Sequence, residues 1–377
     1  MRYSSAPDYV LFLIVLVLVV FGSVMIYSSS AFVADSGFKT SVYFLKKQLV
    51  WIALSFVLLF VFKSIDYHKL RYLATPALVL SLFLLVVVLF FEPTKGVKRW
   101  IRLGGFGFQP SELFKYCLLL FISASLVKKS EKIKKLKYIL IPYFLILGIA
   151  FLLIFKQPHL GAIFAIGTSS VLLLFVGGAR LRHLLILILP VFLLGVVLVF
   201  GLGYEKDRVR DYMNSFKNPL EGSYQLQQSV IGLGSGGLYG KGLGNGKQKL
   251  FFLPEPHTDF IFSAIGEEGG FIFTCGIMLL FLIFGLRGIK ICLSAPDRFG
   301  FLLAFGMTSI LISGALINTG VVLGLLPTTG IPCPFLSYGG SSLVMAMCGV
   351  GILLNISQQK ALKKRKSYSK PYRWKRK

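Results

Sequence analysis

Apolar segments alternate with short polar or basic segments along most of this chain. A helix needs about 20 mostly apolar residues to cross a bilayer, and ten segments approach that length. They lie at residues 9–28, 43–62, 72–91, 111–127, 138–155, 160–178, 184–203, 259–286, 299–320 and 338–357. The pattern predicts an all-α integral membrane protein with about ten transmembrane helices. An even number of spans puts both termini on the same side of the membrane.

The loops on the amino-terminal side of the membrane carry most of the lysine and arginine. One of them, residues 128–137, holds six lysines, and the tail at residues 358–377 is also strongly basic. Because loops rich in these residues stay in the cytoplasm, we expect both termini to be cytoplasmic. The longest loop, residues 204–258, then lies outside, between helices 7 and 8.

This topology divides the chain into a polytopic membrane domain, residues 1–357, and a basic cytoplasmic tail, residues 358–377. Residues 204–258 are close to the lower limit of about 50 residues for a domain, so we expect an extracytoplasmic catalytic loop rather than a separate catalytic domain. The tail is most simply an anchor for anionic lipid, with a cytoplasmic protein partner as the alternative.

The formal net charge of +26 would indicate nucleic-acid binding in a soluble protein. Here the basic residues lie in short loops and in the tail, where membrane topology and anionic lipid explain them, so we expect no nucleic-acid partner. The five cysteines and four histidines form no disulfide framework or zinc motif. Phosphate-loop and dinucleotide motifs are also missing. Any chemistry must therefore occur at the membrane surface, on a substrate that the membrane delivers.

The outside segment at residues 92–110 is basic on the side of the membrane where basic residues are normally sparse. It carries Lys95, Lys98, Arg99 and Arg102. Because lysine and arginine are the usual phosphate binders, the segment indicates a site for a phosphate-bearing ligand. The alternative is a patch that serves topology or faces anionic headgroups.

An acid and a base enter the membrane together at the start of the fourth span. Glu112 and Lys115 are three residues apart, on one face of the predicted helix. Pairing would lower the cost of burying each charge. A structural ion pair and a direct substrate role explain these two residues equally well.

The polar, glycine-rich segment at residues 225–270 runs directly into the eighth span. Acidic candidates near the outer surface are Glu112, Glu255, Asp259, Glu267 and Glu268. Asp259 should lie just before a helix start, where unpaired backbone N–H groups keep a carboxylate ionised and hence basic. Adjacent helical positions point about 100° apart, so Glu267 and Glu268 cannot both share the surroundings of Asp259, and we expect both to be structural.

Two further connections on the outside contain proline. Residues 324–342 combine Pro327, Pro332 and Pro334 with paired glycines, which predicts a re-entrant turn that lines a cavity, with an ordinary tight loop as the alternative. The turn before the sixth span contains His159, which could titrate near neutral pH. A lone histidine is more often a polar turn residue.

Four segments in this order resemble the SEDS family of shape, elongation, division and sporulation proteins. They are KGVKRWIRLGGFGFQPSELFK (95–115), QPHLGA (157–162), QQSVIGLGSGGLYGKGLGNGKQKLFFLPEPHTDFIFSAIGEEGGF (227–271) and GLLPTTGIPCPFLSYGGSS (324–342). The form of the third segment is closer to the FtsW division branch than to the RodA elongation branch. The resemblance implies a ten-span peptidoglycan glycosyltransferase that polymerises lipid II on the outer face of the bacterial cytoplasmic membrane. It also implies a class B penicillin-binding protein as transpeptidase partner, together with other division or elongation proteins.

By motif match, the essential aspartate of the family falls on Asp259. Its basic loop falls on Lys98, Arg99 and Arg102, and its acid–base pair on Glu112 and Lys115. We add to the substrate-binding set the following residues of the matched segments: Gln228, Ser229, Lys241, Lys249, His257, Thr258 and Ser337. A divalent cation, Mg or Mn, could assist the leaving diphosphate. The sequence departs from the family pattern at His159, where Asp is more usual, and at Cys333, where Leu is frequent.

Two other classes of function stay open at this point. A lipid II flippase or transporter would use the same amphiphile, but it would need paired broken helices, and no convincing inverted repeat is visible. A non-catalytic division scaffold would rely on the loops and the tail, and it would tolerate loss of the Asp259 carboxylate. Within the family, a role in elongation is the alternative to division.

Overall fold

The computed structural model describes residues 6–94, 96–103, 106–129, 136–186, 189, 210–214, 223–250, 252–254 and 256–368. Its helices are α1 (Tyr9–Phe38), α2 (Tyr43–Ser64), α3 (Tyr67–Val87), α4 (Pro110–Lys128), α5 (Leu136–Phe155), α6 (Leu160–Val176), α7 (Tyr224–Ser235), α8 (Ile261–Leu293), α9 (Arg298–Val322) and α10 (Gly340–Tyr368). A short 3-10 helix, Val88–Phe90, follows α3.

Helices dominate the described residues, and this confirms the predicted helical membrane class. Seven of them are long and apolar enough to cross a bilayer, namely α1, α2, α3 with its 3-10 extension, α4, α8, α9 and α10 up to Gln359. Two shorter apolar helices correspond to the predicted fifth and sixth spans. Most of the predicted seventh span, 184–203, falls outside the described residues, as do Lys95, Glu255 and residues 369–377.

Aspartates fix the starts of three of these helices. The side chain of Asp8 accepts a hydrogen bond from the backbone of Leu11, and Asp66 accepts one from His68. Asp297 accepts from both Phe299 and Gly300. A carboxylate at this position satisfies N–H groups that have no partner in the first helical turn.

The helices are arranged around α9, which packs against α4, α6, α8 and α10. Most of α4, α9 and α10 is buried, whereas α2 exposes most of its apolar surface. This difference is expected where the inner helices contact protein and the outer helices contact lipid. The inner helix α4 carries Glu112 and Lys115.

The basic segment at residues 92–110 contains a short β-hairpin, a local addition to the all-α architecture. Strand β1 (Ile101–Leu103) pairs antiparallel with β2 (Phe106–Phe108), with Arg102 opposite Gly107. Three-residue strands are too short to show a clear alternation of apolar and polar positions. The sequence pattern therefore could not reveal them.

The start of α1 and the part of α10 around Ser357 lie at the same end of the helix bundle. The backbone N–H of Asp8 donates to Ser357 Oγ over 3.1 Å, and the side chain of Asp8 pairs with Arg287 at 2.6 Å. At the same end, Asn355 donates to the backbone of Lys63 over 2.6 Å. This arrangement agrees with an even number of spans between the amino terminus and the end of α10.

Helix α8 is broken at Gly270, where the sequence predicts an uninterrupted span. Gly270 has φ +74° and ψ −172°, a conformation that only glycine adopts readily. The preceding glycine-rich loop fills the break: Lys241 and Gly242 donate backbone hydrogen bonds to the carbonyls of residues 267 and 268, and residues 271 and 272 donate to those of 237 and 238. The first part of α8, residues 261–269, is therefore a separate short helix, and Asp259 lies just before its start.

Candidate active site

Asp259 lies in a turn two residues before the first residue of α8. The helical hydrogen bonds of α8 begin at Phe260, whose carbonyl accepts from Ser263 over 2.9 Å. The carbonyl of Asp259 instead accepts a 2.7 Å hydrogen bond from Asn318 of α9. The predicted position of Asp259, just before a helix start, is therefore confirmed.

Asp259 and Arg99 approach the same point of the 324–342 loop. A methyl group added at Gly330 would lie 3.5 Å from Oδ2 of Asp259 and 3.7 Å from Nη1 of Arg99. Gly330 has φ +69°, so its backbone is in the left-handed region that favours glycine. At this point the loop therefore presents backbone without a side chain to both the carboxylate and the guanidinium.

A buried glutamine fixes the position of Arg99. The Nε of Arg99 donates to the carbonyl of Gln157 over 2.9 Å, and the side-chain amide of Gln157 donates to the carbonyl of Leu85 over 3.1 Å. Gln157 is fully buried. The short connection between α5 and α6 therefore anchors the guanidinium at the end of α3.

The other two predicted phosphate-binding residues have different positions. Lys98 is exposed, and its ammonium donates to the carbonyl of Leu89 over 3.0 Å. Arg102 is exposed on β1. Of the three basic residues, Arg99 is therefore the one that the structure brings next to the Asp259 loop.

His159 is buried beside these residues, whereas the sequence favours a polar turn residue. It is 1% exposed, and its Nδ1 lies 3.3 Å from both Gln109 Nε2 and Ser111 Oγ. Burial holds the pKa of His159 well below its ordinary range, with repulsion from Arg99 and Lys115 as further causes. The ring is therefore neutral, and its Nδ1 accepts both hydrogen bonds.

This low pKa gives the stability of the protein a pH dependence. The unfolded chain binds a proton at His159 below about pH 6.5, whereas the folded protein keeps the ring neutral. The folded state therefore binds fewer protons than the unfolded state. The contribution to stability is complete above that pH and is lost as the pH falls below it.

Glu112 and Lys115 form the predicted ion pair, which is confirmed. Their side chains meet at 2.7 Å, and both are buried in the first two turns of α4. A buried pair of this kind is costly to form and more costly to break, since removal of one partner leaves an unpaired charge.

Lys241 and Lys249 contact carboxylates of the chain itself. Lys241 pairs with Glu267 at 2.7 Å, and Lys249 pairs with Glu268 at 2.8 Å. Glu267 also accepts from the backbone of Lys247 and Gln248, and Glu268 from Ser28 and the backbone of Gly244. These pairs hold the glycine-rich loop against the break in α8. They confirm the structural prediction for both glutamates and argue against direct substrate contact by the two lysines.

The remaining predicted substrate-binding residues mostly hold loops together. Ser229 donates to the carbonyl of Val322 over 3.0 Å, and Ser337 accepts from the backbone of Cys333 over 2.8 Å. His257 packs against the ring of Phe44 at 4.5 Å. Gln228 and Thr258 are half-buried. Of this set, Thr258 lies nearest to Asp259 in the chain.

The described residues do not form a metal site on their own. No group of three or more His, Cys, Asp or Glu side chains in the described part of the chain could hold an ion. A divalent cation would therefore need oxygen ligands from a substrate diphosphate in addition to a carboxylate.

The broken helix α8, the inner helices and the Asp259–Arg99 cluster together define a polytopic helical membrane protein with a polar site at one end of its bundle. The family model of the FtsW, RodA and SpoVE cell cycle proteins matches residues 8–362 of this chain. The chain belongs to this family, and the resemblance inferred from its motifs is confirmed.

Similar proteins cover nearly the whole chain. A probable peptidoglycan glycosyltransferase FtsW of Geobacter sulfurreducens is 42% identical over 93% of this chain and 95% of its own length. Stage V sporulation protein E of Bacillus subtilis is 41% identical over 94% of this chain and 98% of its own length.

Solved structures have the same fold. A chain of a peptidoglycan synthase complex, studied for its coordination of polymerization and crosslinking, aligns with a TM-score of 0.78 and 28% identity over 95% of this chain and 99% of that chain. The rod shape determining protein RodA of Thermus thermophilus aligns with a TM-score of 0.69 and 28% identity over 94% of this chain and 98% of its own.

Proposed function

We propose that this protein is a peptidoglycan glycosyltransferase that polymerises lipid II into glycan strands during cell division. The named activity of its FtsW relatives supports the reaction, and their prevalence among the most similar proteins supports the division branch. The single observation that carries the proposal is the cluster of Asp259, Arg99 and Gly330, where a carboxylate and an anchored guanidinium approach the same glycine.

In the proposed reaction, a hydroxyl of the acceptor glycan attacks the anomeric carbon of the donor sugar. Asp259 removes the proton of that hydroxyl as general base. The new glycosidic bond forms with inversion while the bond to the lipid diphosphate breaks. The negative charge that develops on the leaving diphosphate is stabilised by Arg99, with Arg102 and Lys98 completing the basic surface.

The surroundings of Asp259 support its role as base. Its position before the first helical N–H groups of α8 favours the ionised carboxylate. Arg99 is anchored by a backbone carbonyl, so its charge needs little reorganisation when the diphosphate leaves. The neutral ring of His159 adds no positive charge to this region.

We further propose ten spans with both termini in the cytoplasm and Asp259 at the outer face of the bacterial inner membrane. The shared location of Asp8 and Ser357 at one end of the bundle supports the even number of spans. Residues 1–357 are then one membrane domain with the catalytic loop 204–258, and residues 358–377 are a cytoplasmic tail that binds anionic lipid. The active-site loops face the compartment in which glycan strands are assembled.

The proposed partner is a class B penicillin-binding protein that crosslinks the new strands. A similar solved chain comes from a complex that combines polymerization with crosslinking, which supports this pairing. Other division proteins would place the pair at the division site.

A polymerisation assay on purified lipid II tests the proposed function. Wild type and Asp259→Asn are compared, each with and without the cognate transpeptidase. We expect glycan strands from the wild type and none from the variant, with the variant still binding its partner. Wild-type-like strands from Asp259→Asn would contradict the mechanism and favour a scaffold.

Two further measurements separate the alternatives. Lipid II translocation in liposomes by wild type, without polymer formation, would favour a flippase. Depletion from cells distinguishes the branches, since filamentation supports division and rounding supports elongation.

A further inference from the structure

Asn318 links two loops of the candidate site through one side-chain amide. It lies near the end of α9 and is 1% exposed. Its Nδ2 donates to the carbonyl of Asp259 over 2.7 Å and to the carbonyl of Ile331 over 2.8 Å. Both protons of a single planar amide group are thereby used.

The two acceptors are the backbone positions that determine the geometry of the site. One is the carbonyl of Asp259 itself. The other belongs to Ile331, the residue after Gly330, at which an added methyl group would contact both the Asp259 carboxylate and the Arg99 guanidinium. Asn318 therefore fixes the backbone of the proposed base relative to the 324–342 loop, which Arg99 also approaches.

The local backbone explains why a side chain is needed here. Ser263, the residue that would bond to Asp259 in a continuous helix, donates to Phe260 instead. The carbonyl of Asp259 therefore lies outside the hydrogen bonds of α8. Asn318 supplies a donor to this half-buried carbonyl from the neighbouring helix.

We propose that Asn318 is a positioning residue for Asp259, which sets the distance between the catalytic carboxylate and the Gly330–Arg99 side of the site. The proposal rests on the proposed function, since it assigns a role within that reaction. Asn318 acts through the Asp259 backbone and needs no contact with substrate. Its loss should therefore lower kcat more than it raises KM.

Asn355 provides a matched control at the opposite end of the bundle. It is fully buried in α10, accepts from the backbone of Tyr67 over 3.0 Å and donates to the carbonyl of Lys63 over 2.6 Å. Like Asn318, it uses a buried amide to bind backbone of neighbouring elements, here the end of α2 and the start of α3. It differs in having no connection to Asp259.

The test compares Asn318→Ala with Asn355→Ala in the full-length protein with its transpeptidase. Thermal unfolding in detergent reports stability, and lipid II polymerisation reports kcat and KM. A displacement of about 1 Å in a catalytic group can cost about 100-fold in rate, so we expect kcat to fall by about 10- to 100-fold in Asn318→Ala, with KM within about twofold. Asn355→Ala should lose stability and keep kcat.

Asn318→Ser keeps one donor and should recover part of the rate. If Asn318→Ala does not fold, the serine variant takes its place in the test. A wild-type kcat in Asn318→Ser would then overturn the proposal. Equal kcat losses in the Asn318 and Asn355 alanine variants would overturn it as well, since they would reflect stability alone. If the wild type with its transpeptidase makes no polymer, the proposed function itself fails, and the role of Asn318 fails with it.

Discussion

The ion pair between Lys249 and Glu268 allows a quantitative test of how the active-site loop is held. We consider Lys249→Met, which keeps much of the side-chain volume and removes the charge. The pair is 2.8 Å long, and its side chains are 10% and 1% exposed. Because the pair joins the glycine-rich loop to the break in α8, detachment of the loop separates its two charges.

The burial and remaining partners of the pair determine how much free energy its loss costs. Removing one partner of a buried ion pair typically costs about 3 to 5 kcal/mol. Glu268 keeps neutral donors from Ser28 and the backbone of Gly244, so we expect a value near the lower limit, about 3 kcal/mol. This corresponds to an increase of about 150-fold in the equilibrium constant for opening of the loop.

Hydrogen exchange of the loop amides measures this constant directly. The amides of Lys241 and Gly242 bond to the carbonyls of α8 and exchange when the loop detaches. The matched control is Lys247→Met, because the Lys247 side chain is exposed and should change opening only about twofold. Addition of Glu268→Gln to Lys249→Met should restore most of the protection, since glutamine still accepts a hydrogen bond without a buried charge.

The outcome distinguishes a structural lysine from one that binds substrate. Exchange in Lys249→Met that matches the Lys247→Met control, together with a raised KM for lipid II, would refute the structural role. Faster exchange that Glu268→Gln reverses would support it.

Three further predictions concern the site itself. Gly330→Ala should lower the rate of polymerisation by at least about tenfold in a folded protein. The added methyl group disfavours the left-handed backbone beside Asp259, where a small displacement is costly. An unchanged rate would show that this backbone is not critical. Arg99→Ala should lower kcat/KM for lipid II more than Lys98→Ala does, because Arg99 is the anchored residue proposed to stabilise the leaving diphosphate. Equal kinetics of the two variants would favour a role of Arg99 in membrane anchoring. Between pH 7.5 and 5, wild type should lose stability relative to His159→Asn, because the unfolded chain takes up a proton that the folded ring does not. Parallel pH dependences of the unfolding free energy in the two proteins would contradict a neutral buried ring.

The sequence predicted the parts of the molecule that depend on regular patterns. Apolar segments identified the membrane-spanning helices, and Asp259 was located at a helix start from the transition between polar and apolar residues. Helix spacing also predicted the pairing of Glu112 with Lys115. These features depend on residues that are close together in the chain.

Features that depend on distant contacts were missed. Gly270 ends the polar, glycine-rich segment, but the break there is filled by a loop some 30 residues earlier in the chain, which residue type and spacing do not indicate. The pairing of Lys249 with Glu268 and the bonds of Asn318 join residues far apart in the chain, so residue type and spacing could not reveal them. For His159 the departure from the family pattern was visible, but its burial was not.

The carboxylate of Asp259 is the centre of this account, and its neutralisation is the most direct test. The measurement is the initial rate of glycan synthesis from purified lipid II, with the transpeptidase partner present. The rate of Asp259→Asn is compared with that of the control variant Asp35→Asn. Asp35 is an exposed carboxylate on the part of α1 beyond Ser28, so its neutralisation controls for loss of surface charge. Loss of a general base typically costs about 100- to 10,000-fold, and we predict a decrease in that range for Asp259→Asn and an unchanged rate for Asp35→Asn. A rate for Asp259→Asn within about twofold of wild type, far outside that range, would contradict the proposed mechanism.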